Sequence, residues 1–283
     1  MARSRLLLIL GLLVLAGCGS SPVVTGTAPE RPYDGPMVVA VRSADDATVR
    51  ERAGAAALAL ECEGKPYDGG GGDYDSGLES SQGSADGALK DFFEQEPLAA
   101  APHSGYRVER EDDGRVLFSH DVAGRTKVAI IAADDVRDYE HHTAWGVETW
   151  AQCDPAELPS AVTDDLGVQV WTDAAGRRAP ITTVRSFAGP GHCDWQDITF
   201  LVLADRAGER QYLRDVTGRL GDLLATTYAD GVPVPESATD TGLSRDGADL
   251  WLAKDRTAAY LVRGGNRLDA ERWPASTGRI ACA

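Results

Sequence analysis

The sequence predicts an α+β, β-rich protein built as two units of antiparallel sheet with a few helices. Three observations carry this. Short alternating runs recur with turn signals between them, as at Asp112-Asp113-Gly114, Ala174-Ala175-Gly176 and Arg206-Ala207-Gly208. Clear helical spacing is confined to two segments in the first half. The stretch DPAELPSAVTDDLG then breaks the strand pattern. It sets a boundary: residues 37–154 as an α+β domain, 155–165 as a linker, and 166–283 as a β-rich domain.

Asp45 to Leu60 is the first expected helix. Asp45 or Asp46 can cap it, and Val49, Ala53, Ala56, Ala57 and Leu60 fall near one face. GKPYDGGGGDYDSGLESSQGS follows as a loop by composition. Ala85 to Gln95 is the second helix. Ser84 can cap it, Ala88, Leu89, Phe92 and Phe93 repeat at i, i+1, i+4, i+5, and Pro97 and Pro102 stop it. Strands follow at 106–109, 115–120 and 124–132, the last two as a hairpin. In 145–153, Trp145, Val147, Thr149 and Ala151 share a face. In the second half strands are expected at 168–172, 181–186, 197–204 and 210–216, then a short helix at 220–227. A meander over 249–253, 258–263 and 267–273 closes the chain.

The halves share a faint pattern. DGRVLFSHDVAGRTKVAI then ETWAQC stands in the first, DGADLWLAKDRTAAYL then ERWPASTGRIAC in the second. Each gives Asp-Gly, Leu plus an aromatic residue, Arg-Thr, Glu-x-Trp (Glu148/Trp150 and Glu271/Trp273) and a closing cysteine. A tandem duplication produces this. So does convergence, because hairpins with Asp-Gly turns look alike, and the sequences around Cys62 and Cys193 do not match.

At the amino end, Arg3 and Arg5 precede the apolar run Leu6–Leu15. Ten residues are too few to span a bilayer, which needs roughly 20, and they fit a signal-peptide core. Leu15-Ala16-Gly17-Cys18 then resembles the lipobox of bacterial lipoproteins, and the whole is similar to uncharacterised lipoproteins of actinobacteria. The resemblance implies a signal peptide over 1–17, cleavage between Gly17 and Cys18, and diacylglycerol with palmitate-type chains on Cys18. It places the protein on the outer face of the cytoplasmic membrane. Residues 18–36, rich in Gly, Ser, Thr and Pro, are expected to be a flexible tether.

After anchor and tether roughly 245 residues remain, 43% of the whole chain being hydrophobic, enough for one large or two ordinary cores. The formal charge of −16 becomes −18 once Arg3 and Arg5 are removed. So acidic a chain argues against nucleic acid as a partner and against anionic headgroups or polymers held by bulk charge. Export makes the four remaining cysteines disulfide candidates. Three pairings exist; Cys62–Cys153 with Cys193–Cys282 is favoured, giving one staple to each unit. No short Cys-x-x-Cys spacing points to a metal, and no cofactor is expected.

Catalytic motifs are missing: no GxSxG, P-loop, HExxH, or SxxK with KTG. His141 and His142 would point to opposite faces on a strand and so not share a metal; the segment reads as a polar loop before a strand. Asp73 and Asp75 fail the calcium-loop spacing. His192 beside Cys193 reads as structure rather than as a nucleophile pair. The tryptophans read as core. The expected function is therefore a non-catalytic binding or interaction module of the envelope, its partner an envelope protein or wall ligand. The alternatives are a hydrolase, for which Asp134, Asp135, Asp138 and His141 are the first group to inspect, and a passive wall-associated structural protein.

Overall fold

The structure is a computed structural model that describes residues 23–72, 83–95, 98, 100–138, 141–205 and 208–280. It is β-rich, as the sequence predicts, and its sheets are almost wholly antiparallel. The apolar clusters divide between residues up to 166 and residues from 171 onward.

In the N-terminal half, one six-stranded sheet has the order β1-β3-β4-β5-β6-β2. The strands are β1 (Val24–Gly26), β2 (Asp68–Gly71), β3 (Tyr106–Asp112), β4 (Arg115–Val122), β5 (Arg125–Arg137) and β6 (Thr143–Gln152). β3 to β6 form a meander. Its first two turns, Asp113-Gly114 and Ala123-Gly124, place both central residues at positive φ. That backbone twist matches flanking strands and makes tight two-residue hairpins.

Helices α1 (Val49–Leu58) and α2 (Ala85–Gln95) cover opposite faces. Period-two alternation explains how: Val128, Ile130 and Ala132 of β5 meet Leu89, Phe92 and Phe93 of α2, while Ala129 and Ile131 meet Ala53, Ala56 and Ala57 of α1. A sheet buried on both faces reads as a near-continuous apolar run, which is what KVAIIAA is. α2 starts where expected, with Gly87 N donating to Ser84 Oγ. α1 starts later than Asp45 or Asp46. Thr48 and Glu51 exchange reciprocal bonds as a capping box, and Asp46 pairs with Arg42 instead.

The C-terminal half holds two sheets. One, β11-β10-β9-β7, uses Gly208–Arg214, Thr199–Asp205, Val184–Ala188 and Val168–Gln169. The other has the order β12-β16-β15-β14-β13-β8. Its strands are β8 (Thr172–Asp173), β12 (Ala229–Val232), β13 (Thr239–Arg245), β14 (Ala248–Leu252), β15 (Ala258–Arg263) and β16 (Ala270–Pro274). Trp171, Val184, Leu201 and Tyr212 pack from the first sheet side against Leu250, Ala259, Leu261 and Trp273 of the second. The strand expected at 168–172 is split, because the chain crosses between sheets there and buries Trp171 at the crossing. The helix expected at 220–227 is only a 3-10 turn at Gly221–Leu223. Asp215 caps Arg219 N and Leu220 N, Gly221 takes positive φ, and Leu220 and Leu224 turn into an outer core.

Two expectations about connecting segments change. Residues 155–165 form a 3-10 turn at Pro155–Glu157 and helix α3 (Ser160–Asp165), and Leu158 and Val162 join the N-terminal core. The described end of the expected tether is not free chain. Val23 O accepts Tyr106 N, β1 pairs in parallel with β3, and Val23 and Val24 pack on the core.

Candidate functional site

The depression built by both halves is the candidate site. It is a cleft of about 360 Å³, within the range of on the order of 300–1,000 Å³ usual for ligand pockets. Glu63, Gly64, Ala156 and Glu157 form one wall; Asp173, Arg177, Arg178, Ala179, Pro180, Thr183 and Leu243 form the other.

Its floor is held by three knots. Lys127 projects from near the start of β5 and pairs with Glu157 at 2.6 Å, both nearly buried, and also donates to Glu61 O at 2.9 Å. A buried pair survives only when further hydrogen bonds satisfy it, and Glu63 N supplies one to Glu157 Oε2 at 2.9 Å. Beside it Cys62 and Cys153 form the expected disulfide, Cα atoms 5.3 Å apart. The third knot is Asp154, 3% exposed. Its carboxylate accepts from Ala156 N (2.9 Å), Ile181 N (2.9 Å), Thr182 N (3.2 Å) and Thr182 Oγ1 (2.9 Å), so one side chain of the first half fixes the backbone of the second.

Apart from the exposed Glu63, the cleft's other charges are likewise engaged. Arg178 donates to Leu158 O at 2.7 Å and Thr163 Oγ1 at 2.8 Å. Asp173 accepts from the backbone of Ala175 and Arg177 and from Arg177 Nε. The Arg177 backbone bond, then its guanidinium bond, hold the Asp173 carboxyl below the usual carboxylate range. Ala156, Ala179, Pro180 and Leu243 offer apolar surface. The cleft thus presents apolar surface beside an exposed Arg177 guanidinium that pairs with Asp173.

The residues singled out from the sequence fall as follows. Asp134 N bonds the Gly114 turn, Asp135 reaches Arg115 at 3.4 Å, and Asp138 accepts His142 N at 2.9 Å with His141 at positive φ. Asp134 and Asp135 thus serve β5 and its neighbour, and His141 and His142 precede β6 outside any strand, as a polar loop ahead of a strand would. His192 and Cys193 sit in a 3-10 turn, and Cys193 is disulfide-bonded. Gly17, Cys18, Asp73, Asp75 and Cys282 lie outside the described residues. Trp171 and Trp273 are fully buried, and Trp145, Trp150, Trp195 and Trp251 partly so. Among the described residues, one group brings metal-ligating atom types together: Cys62, Cys153 and Glu157. Its sulfurs are bonded to each other and its carboxylate to Lys127, so no donor set remains.

Elsewhere, strong perturbation marks packing. Burial pushes the Tyr212 phenol up to about 12 and the Tyr106 phenol higher, and burial lowers the His120 imidazole. Lys127, Asp154, Glu157 and Arg178 were missed by sequence reading. Asp154 had a signal, an Asp-Pro cap step, and Lys127 another, a lone cation inside an apolar strand. No protein-family model, curated protein or solved structure matches the chain.

Proposed function

We propose that the protein is a lipoprotein anchored through Cys18 on the outer face of the cytoplasmic membrane, and that it acts as a non-catalytic binding module. The cleft between the halves is its ligand site. One observation carries the binding reading: Glu157, Asp173, Arg177 and Arg178, four of the five charged residues lining the cleft, are committed to structural bonds, and the fifth, Glu63, stands alone at the exposed edge. They leave shape and apolar surface rather than a convergent acid, base or nucleophile. The oxidised Cys62–Cys153 pair supports an oxidising compartment. Among the described residues no helix is long and apolar enough to cross a membrane.

The same proposal pairs Cys193 with Cys282 and treats the two halves as a tandem duplication. The latter is supported by a shared order. In each six-stranded sheet a four-strand meander is flanked by an earlier strand at each edge, β1 and β2 in one, β8 and β12 in the other.

The test places a photo-crosslinking residue at Leu243, inside the cleft, and at Asp249, outside it, in cells carrying the intact anchor. The expected outcome is a discrete adduct from position 243 alone, retained when lysates are washed. Equal labelling at both positions, or none at 243, refutes the cleft as a binding site.

A further inference from the structure

We infer that Val38, Val39, Ala40, Val41 and Leu58 form a membrane-contact surface that the lipid anchor holds against the bilayer interface; this rests on the Cys18 anchor. Val38 is 61% exposed, Val41 48% and Leu58 41%. The valine run lies against α1, the helix that Leu58 ends: Val39 O and Val41 Cγ1 lie 2.9 and 3.1 Å from where a Cβ on Gly54, at the helix kink, would stand. The run is not a failed core segment, since its neighbour Met37 is buried among Leu117, Ala129 and Ile131. The other exposed large apolar residues among those described are Val216, Leu223 and Leu268, all in the C-terminal half. Contiguous apolar patches mark interaction surfaces.

Covalent reach selects the occupant. Val23 is already bonded to Tyr106, so only residues 19–22 separate the lipidated Cys18 from docked chain. Five extended steps cover at most about 18 Å. From there the strap follows β3. Tyr33 N donates to Glu109 Oε1 at 2.5 Å and Arg110 Nη1 donates to Gly35 O at 2.8 Å. Arg110 lies four residues along β3 from Tyr106, about 13 Å by strand rise. The patch begins three residues past Gly35. A lipid surface is therefore within reach of the patch whenever the anchor is inserted. The acidic chain rules out bulk attraction to anionic headgroups, so apolar side chains must make the contact. Only they enter, because the backbone of 38–41 pairs with no other backbone group described and keeps water or headgroups as partners.

The test uses the full lipidated chain in cells, with a photo-crosslinking residue at Val38 and, separately, at Leu268. The expected result is a phospholipid mass adduct at 38 and none at 268. Inserting ten Gly/Ser residues after Ser20 should abolish the adduct at 38 while fatty-acid labelling persists. A protein adduct at 38, no adduct, or an adduct that survives the insertion overturns the contact surface while leaving the anchor standing. Cys18→Ala tests the anchor separately: fatty-acid labelling and membrane sedimentation that persist in this variant overturn the anchor, and the contact surface with it.

Discussion

Asp154→Ala would show how firmly the two halves are joined. The carboxylate is 3% exposed and accepts four hydrogen bonds, three of them from Ile181 and Thr182 of the C-terminal half. Hydrogen bonds to a charged acceptor are worth about 1.5–3 kcal/mol each when removed singly, and a buried donor left unsatisfied costs about 1–3 kcal/mol. The N–H groups of Ala156 and Ile181 are in buried surroundings, whereas Thr182 is exposed and can recruit water. Non-additivity trims the total, so a loss of about 3–5 kcal/mol is expected. Asp154→Asn keeps the shape but turns an amide donor toward donors, and should recover less than half of it. Urea unfolding of the full mature chain measures the loss. Hydrogen exchange at 154–158 and 179–183 should rise well before the strands of β5 or β15 exchange. A loss under about 1 kcal/mol with unchanged exchange at 179–183 would refute the knot as the joint.

Gly69→Ala should destabilise by about 1–3 kcal/mol. The new Cβ would stand 2.6 Å from Trp150 O and 2.9 Å from Ala53 Cβ, and thermal unfolding reads the drop; an unchanged midpoint would show that β2 moves away freely. Replacing both Cys62 and Cys153 by alanine removes a cross-link 91 residues apart and should cost about 4–5 kcal/mol on the chain-entropy model, seen as a lower urea midpoint against the oxidised chain. Glu271 is pushed up by burial, but bonds from Trp273 Nε1 and Arg214 outweigh this and its native carboxyl titrates below the ordinary 4.5. Its contribution is whole above that ordinary value and is lost as pH falls through the native one. Glu271→Gln should therefore flatten the acid limb of the unfolding midpoint against pH, and an unaltered limb would refute the assignment.

Local chemistry was legible and long-range partnership was not. The Asp113-Gly114 hairpin, the α2 face and the Cys62–Cys153 bridge could be read because a turn residue, a 3.6-residue period or a cysteine count carries each of them. β1 could not: Val-Thr-Gly in a Pro- and Thr-rich stretch has no period, and its parallel pairing depends on β3, eighty residues away. Asp68–Gly71 has a composition that says loop, yet β2 pairs with β6 because only glycine lets the strand pass under Ala53. The cleft was invisible for the same reason. Arg178 is ordinary in sequence and gains its meaning from Leu158 O and Thr163 Oγ1, which a fold must bring to it.

The repeat pattern shows where sequence likeness and structural equivalence part. Leu117 and Leu250 each stand three residues past a positive-φ Asp-Gly turn, and the aromatic residues after them, Phe118 and Trp251, face the opposite side of their sheets. The two hairpins therefore put matching residues on matching faces, although their irregularities differ: Phe118 pairs with Val108 and Trp251 with Asp240. The Glu-x-Trp segments do not. Trp150 packs on the face of Phe118, whereas Trp273 packs on the face of Leu250. Because side chains alternate, a slip of one residue is enough to exchange faces, and β5 carries register shifts at Ile131/Ala132 and Ala133/Val136 against β6. The glutamates diverge with them: Glu148 takes Arg115 of its own meander, and Glu271 takes Arg214 of the other sheet. Any common origin of the halves would have to be read from the meander order and the first hairpin, and the tryptophans, under helices on one sheet and strands on the other, carry no part of it.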